Sequence, residues 1–196
     1  MRKILLSAFE PFGGETVNPA KEALLRLEGE GIYKLFLPVE YARAGELLIA
    51  EIDRVRPDAV IMTGQAGGRD AVTPERRAVN LMNAAAPDSA GRLCAGEKIL
   101  EGGADELFAT LSPEALVEAI AKEGVSARVS ESAGTFVCND VFYRALSHLK
   151  GTPVQADFIH LPWCDEQAAR HPGQFSLPVE DMVRALEAVI RLVSAS

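Results

Sequence analysis

Short apolar runs rich in β-branched residues alternate along this chain with stretches that repeat at helical spacing. Lys3 to Phe9 is an apolar run closed by Pro11-Phe12-Gly13-Gly14, a buried strand feeding a loop. Asn18-Pro19 opens a helix, with Asn as cap, Pro in the first turn, and Ala23, Leu24 and Leu27 on one face. Ile32 to Val39 reads as a second strand, Gly45 to Val55 as a helix, and Ala59 to Thr63 as a third, buried strand. A glycine-rich loop is expected from Gly64 to Pro74 and a strand from Ala78 to Met82. Residues 83 to 105 read as loop with a short hairpin. Ser112-Pro113 caps a helix through Lys122 that Gly124 ends, and Val125 to Val129 reads as a strand. Phe136 to Leu149 is helical, Val154 to His160 a strand, and Pro178 to Val193 a closing helix.

Such alternation allows few folds. It predicts an α/β protein whose central, mostly parallel sheet carries helices on both faces. In such sheets the functional loops gather at the carboxyl ends of the strands. The loops after Phe9, after Thr63 and before Cys138 are therefore expected on one edge, together with His160.

Nothing divides the 196 residues, so one domain spanning 1–196 is expected. The net charge of −8 and the lack of a basic stretch with interleaved aromatics argue against nucleic acid as a partner. No apolar run is long enough to span a bilayer, which argues against a membrane. Glu10, Pro11 and two glycines break the apolar start, so no signal peptide is expected. Three cysteines at scattered positions 94, 138 and 164 suit a reducing cytoplasm and show neither a disulfide framework nor a metal-ligand spacing.

Cys138 stands out among them. A small glycine-containing turn leads into it and a helical pattern follows. At a helix start the free amides lower a thiol's pKa, and the residue's own N–H can point at an oxyanion. The competing reading is a small buried core residue. Cys94 and Cys164 lack that setting and read as core. His160 ends Phe158-Ile159-His160-Leu161-Pro162 and is either the general base or a core histidine bonded at a strand end. His148 and His171 read as surface residues. Glu75 is a candidate to orient the imidazole, although the adjacent Arg76 and Arg77 could pair with it instead. Phe9 and Phe12 flank the first loop and could form an apolar slot for a flat ring, or pack in the core. The glycines of Gly64-Gln65-Ala66-Gly67-Gly68-Arg69 permit close backbone approach but lack the lysine and hydroxyl of a phosphate loop.

Four motifs in order resemble the pyrrolidone-carboxyl peptidase family, also called pyroglutamyl peptidase I. They are Phe9-Glu10-Pro11-Phe12-Gly13-Gly14-Glu15 with Asn18-Pro19; Gly64 to Arg69; Glu75-Arg76 with Ala78-Val79-Asn80; and Ala133 to Asn139 followed by Phe158 to Pro162. The resemblance implies a three-layer α/β/α sandwich and a cysteine peptidase that removes an N-terminal pyroglutamyl residue. It implies a triad of Cys138, His160 and Glu75, with Phe9 and Phe12 around the lactam ring and Asn18 and Gln65 in or near the pocket. It also implies no metal or organic cofactor, and a dimer or tetramer. There is one marked departure. Where the family reads Asp-Ala-Arg before Pro-Asp, this chain has Asn83-Ala84-Ala85-Ala86-Pro87-Asp88. Ala85 replaces an arginine thought to help hold the oxyanion, with Arg92 as a candidate substitute. The alternatives are a related thiol amidohydrolase with a different substrate and a non-catalytic homologue that keeps the pocket.

Overall fold

A computed structural model describes residues 2–195; Met1 and Ser196, the ends of the expected domain, lie outside the described residues. The chain runs β1 (Ile4–Phe9), α1 (Pro19–Arg26), β2 (Ile32–Leu37), α2 (Arg43–Val55), β3 (Ala59–Gln65) and β4 (Thr73–Pro74). It continues through β5 (Arg77–Val79), β6 (Met82–Asn83), β7 (Ala95–Glu97), β8 (Glu106–Phe108), α3 (Pro113–Lys122) and α4 (Val137–Leu149). It ends with β9 (Gln155–Leu161), β10 (Trp163–Cys164), α5 (Asp165–Ala168), β11 (Ser176–Leu177) and α6 (Val179–Ala195).

Five strands form the central sheet in the order β2-β1-β3-β9-β4. The first four are parallel, and β4 runs antiparallel to β9. Successive side chains of a strand point to opposite faces, so the buried strands must supply two cores. Leu5, Val60, Met62 and Phe158 pack on one face with Leu48 and Ile52 of α2 and Phe142 and Leu146 of α4. Ile4, Leu6, Ile61 and Ile159 pack on the other with α1, α3 and α6, through Leu24, Ile120 and Val189. The result is the expected α/β/α sandwich.

Local chemistry sets several boundaries. Asn18 Oδ1 accepts a 3.0 Å hydrogen bond from Ala20 N, and Pro19 opens α1. Ser112 Oγ accepts from Ala115 N at 3.2 Å before Pro113 opens α3, and Gly124 follows its end with φ +76°.

Two expected strands fail. Residues 125–129 form no strand and touch their neighbour only at the isolated bridge Val72↔Ala127. Beyond β9 the edge strand β4 is two residues long and includes Pro74, which has no N–H to extend a ladder. Ala78 to Met82 breaks into β5 and β6, outside the central sheet, which pair antiparallel with β8 and β7. Asn80 causes the break: its side chain bonds Leu100 N and Leu100 O, both at 2.9 Å, in place of a partner strand. The β6–β7 pairing is the hairpin expected within 83 to 105. The glycine-rich segment is also shorter than expected, since β3 runs through Gln65 and Thr73-Pro74 joins the sheet.

Candidate active site

The carboxyl edge of the parallel strands brings the distant motifs together. Gly64 near the end of β3 pairs with His160 near the end of β9, and His160 in turn pairs with Thr73 of β4. Glu75 follows β4 and is fully buried. His160 Nδ1 lies 2.6 Å from Glu75 Oε1. A carboxylate can only accept, so Nδ1 carries the proton and Nε2 is left as the basic nitrogen.

Cys138 lies in the first turn of α4 on the same edge. Phe136 precedes that helix in extended conformation and offers no side-chain cap, so nothing from the cap residue competes for the first amides. The sulfur packs over Gly64: a β-carbon built there would stand 3.0 Å from Cys138 Sγ and 2.9 Å from Phe158 Cζ. Glycine at 64 therefore makes room for the thiol beside the His160 strand. Among the described residues, no hydrogen bond joins this sulfur to the imidazole.

The neighbours of Cys138 explain its placement. Asn139 is fully buried; its Oδ1 accepts from Val79 N at 2.9 Å, and its Nδ2 donates to Val79 O at 2.8 Å and Leu81 O at 3.0 Å. Asp140, equally buried, accepts from Ala42 N at 2.9 Å and from Arg144 Nε at 2.8 Å. The two side chains pin the start of α4 to β5 and to the start of α2. Their meaning was hidden in the sequence, where the only signal was two polar residues inside an otherwise apolar helix face.

Electrostatics set the resting protonation. Burial pushes the Cys138 thiol up to about 12, with the Glu75 charge adding to the rise and Arg69 opposing it. The lowering expected from the helix start is thus outweighed by enclosure. Burial also holds the His160 imidazole below its ordinary value; Glu75 opposes this and Arg69 adds to it. Burial alone would raise Glu75, but the His160 hydrogen bond and the nearby Arg69 charge leave it lowered. At neutral pH the site therefore holds a thiol, a neutral imidazole and a carboxylate.

The partner of Glu75 is neither of its neighbours in sequence. Arg76 reaches Glu114 and Glu131, and Arg77 reaches Glu106. Arg69, which sequence reasoning passed over, places Nη1 2.6 Å from Glu75 Oε1.

The aromatic and amide candidates separate. Phe9 is 2% exposed and packs on Phe158 with centroids 6.5 Å apart; Phe158 in turn lies 4.7 Å from the His160 ring. Phe12 lies 6.4 Å from Phe136 and helps line an apolar cavity of about 220 Å³ with Val39, Ala86, Pro87 and Phe136. Asn18 is committed to capping α1, and its Nδ2 donates to Glu10 O at 3.5 Å. Gln65 Oε1 accepts from buried Gln167 Nε2 at 3.0 Å. Ala85 is exposed, and Arg92 is held by Glu97 at 2.7 Å with its guanidinium 5.9 Å from the Tyr41 ring.

His171, expected at the surface, is part-exposed at 27%. It is stacked on Trp163, centroids 3.7 Å apart and planes within 9°, and its Nε2 is 2.9 Å from Glu15 Oε1. His148 is one-third exposed and lies 2.8 Å from Asp53. Cys94 and Cys164 are fully buried. Among the described residues, no group of three or more His, Cys, Asp or Glu could hold a metal ion.

A thiol in the first turn of a helix, beside a strand that carries a carboxylate-bound histidine, is the arrangement of a cysteine hydrolase. The comparisons narrow the class. A sequence model of the pyroglutamyl peptidase family matches residues 2–196, and the chain belongs to that family. The pyrrolidone-carboxylate peptidase of Chromobacterium violaceum is 47% identical over 98% of this chain and 92% of that protein. That of Thermococcus onnurineus is 43% identical over 96% and 97%. The crystal structure of pyroglutamyl peptidase I from Bacillus amyloliquefaciens superposes with a TM-score of 0.96 at 38% identity, covering 100% of this chain and 96% of that one. The pyrrolidone carboxyl peptidase of Pyrococcus furiosus superposes at 0.91 with 33% identity, covering 98% of each chain.

Proposed function

We propose that this chain is a cysteine exopeptidase that hydrolyses the amide after an N-terminal pyroglutamyl residue, with Cys138 as nucleophile, His160 as base and Glu75 as the orienting acid. Family membership supplies the reaction. The single observation that carries the residue roles is the 2.6 Å contact of His160 Nδ1 with buried Glu75, beside a helix whose first turn holds Cys138.

The resting site holds the proton on sulfur, so attack needs a base. His160 Nε2 takes the thiol proton as Sγ bonds to the pyroglutamyl carbonyl carbon, and the carbonyl oxygen becomes the oxyanion. The Cys138 N–H in the uncapped turn is the donor we assign to that oxygen. The imidazolium then gives its proton to the departing amine as the C–N bond breaks, leaving a thioester. Water, deprotonated by His160, attacks the thioester; the C–S bond breaks and pyroglutamate leaves. Glu75 stabilises the charged ring each time it forms. Neither step needs a metal or an organic cofactor.

Phe12 and the apolar cavity beside α4 suit a neutral lactam ring; we keep Phe9, Asn18 and Gln65 as substrate-binding candidates at the same sheet edge, although none of them lines this cavity. A charged free amino terminus would lose its hydration there, and the Asp88 carboxylate in the lining already accepts from the amides of Tyr41, Ala90 and Arg92. The same reading makes the chain a single cytoplasmic catalytic domain that works as a homo-oligomer and has no nucleic-acid or membrane partner. Three free thiols support a reducing compartment, and no helix of the described residues is long and apolar enough to cross a membrane.

Release of aminomethylcoumarin from its pyroglutamyl amide tests the function. Wild type turns it over, and Cys138→Ser loses on the order of a thousandfold or more. No turnover by wild type at high enzyme, or undiminished turnover by Cys138→Ser, refutes it. Ala85 favours a second reading, a thiol amidohydrolase with another acyl preference. A lactam or acyl amide that is turned over faster than the pyroglutamyl amide would establish that reading.

A further inference from the structure

Arg69 is the charged group that the mechanism leaves unused. It leaves the glycine-rich turn after β3 and is anchored twice. Nη1 donates to Glu75 Oε1 at 2.6 Å, and the same nitrogen donates to Thr73 Oγ1, whose hydroxyl lies 3.4 Å from His160 O. One guanidinium thus contacts the carboxylate that holds the imidazole and, through Thr73, the backbone that carries it. Its loop is clamped as well: a β-carbon at Gly67 would stand 2.0 Å from Trp163 Cζ2, so the indole lies directly on the turn that aims Arg69. Arg69 is 22% exposed and Glu75 is 0% exposed, so solvent screens the pair little.

We propose that Arg69 is a positioning residue of the triad, the fixed countercharge against which the Cys138 thiolate and His160 imidazolium form. The inference rests on the roles assigned above. At rest the cluster holds one negative charge, on Glu75, and one positive charge, on Arg69. After proton transfer from Cys138 to His160 it holds two of each. It is neutral both times, so no net charge builds up in an enclosed site. Without Arg69, the thiolate would form beside a carboxylate with only the new imidazolium to balance both. Arginine suits the task because it stays protonated and its Nη1 reaches both Glu75 and Thr73.

The other groups around the cluster cannot replace it. Asp157, on β9 and fully buried, is a second acid whose charge would oppose that of Glu75. Ser130 is neutral, and its hydroxyl donates to Ser132 O at 3.3 Å. Asp70, next to Arg69 in sequence, is turned outward to Arg128 at 2.8 Å.

The test compares wild type, Arg69→Met and Arg69→Lys. It reads the pH dependence of kcat/KM on the pyroglutamyl coumarin amide and of iodoacetamide alkylation at Cys138, located by peptide mapping. Removing the positive charge makes protons harder to remove from His160 and from Cys138. Arg69→Met is therefore expected to move the acid limb of kcat/KM and the alkylation midpoint up by about one pH unit. Its kcat/KM at neutral pH should fall roughly ten- to hundredfold. Arg69→Lys should keep both midpoints within a few tenths of a unit of wild type while losing part of kcat. Unmoved midpoints in a folded Arg69→Met protein overturn the proposal, as does Arg69→Lys moving them as far as Arg69→Met. The alkylation arm needs no turnover. Failure of the functional reading shows separately, as an inactive wild type or an undiminished Cys138→Ser.

Discussion

Replacing Gly64 by alanine tests whether the space over β3 is reserved for the reacting sulfur. The added methyl would meet Cys138 Sγ at 3.0 Å and Phe158 Cζ at 2.9 Å. Comfortable non-bonded carbon contacts lie at about 3.5–4.0 Å, so one or both neighbours must retreat by roughly half an ångström or more. Phe158 is fully buried between Phe9, Phe142 and His160 and has little room to yield. The sulfur, on a partly exposed residue, moves more easily. Overpacking of this kind costs about 1–3 kcal/mol of stability. For a chain of this size that lowers Tm by about 2–4 °C per kcal/mol. A displaced nucleophile also costs reactivity, about ten- to hundredfold in kcat for a shift approaching an ångström. The assay is kcat and KM on the pyroglutamyl coumarin amide, together with thermal unfolding followed by circular dichroism. The expected pattern is a fall in kcat that exceeds any rise in KM. Wild-type kcat with a lowered Tm would show that Phe158 yields instead of the sulfur. Wild-type values of both would refute the packing argument.

Other substitutions probe the supports of the site. Asn139→Ala leaves the backbone groups of Val79 and Leu81 without their partners and should cost about 2–4 kcal/mol in urea unfolding; a loss under 1 kcal/mol would contradict its role as a clip. Asp157 is fully buried, its Oδ2 has no partner, and burial holds its carboxyl well above 3.8. A raised folded-state pKa stabilises below the unfolded value and loses that stability as pH rises, so Asp157→Asn should flatten the decline of stability from acid to neutral pH, and a steeper decline would refute this. Glu75 and His160 are both lowered, which carries the opposite sign. Their contribution is full above 6.5 and lost as pH falls through the folded values, so the acid slope of urea stability should be shallower in a His160→Gln protein than in wild type.

What could be read from the chain followed the range of the interactions involved. The helices opened by Asn18-Pro19 and Ser112-Pro113 start where expected because a cap is chemistry between residues two or three apart. The strands β1, β3 and β9 were legible because apolar residues dominate them, with Gln155, Asp157 and His160 interrupting β9. Val125 to Val129 carries the same local pattern but meets an edge cut short at Pro74, and no local signal reveals that. Arg69 was illegible for a related reason. Arg76 and Arg77 sit beside Glu75 in sequence, but their side chains reach surface glutamates, while the turn at Gly67 and Gly68 returns Arg69 to the buried carboxylate. His171, next to Pro172, reads as a surface residue and is part-exposed, but its two contacts were not legible. Its stacking partner Trp163 and its bonding partner Glu15 come from separate parts of the fold.

Enclosure of the site links its resting chemistry to its selectivity. Burial makes the Cys138 thiolate costly, and it makes any unpaired charge on a bound substrate costly for the same reason. In the proposed reading, a peptide with a free ammonium terminus would have to bring that charge against the apolar wall formed by Phe12, Val39 and Phe136, where the Asp88 carboxylate of the lining is already bonded to three backbone amides. A pyroglutamyl terminus brings no charge, because its amine is already tied up in the lactam. Under the proposed mechanism, the charges that develop once such a ring is bound are those of the thiolate, the imidazolium and the oxyanion. Each of the first two has an opposite charge fixed nearby, in Arg69 and Glu75. The oxyanion is the exception, since Ala85 offers it nothing and Arg92 is occupied with Glu97. In the proposed reading, the amides of the uncapped α4 turn are left to carry the oxyanion's charge.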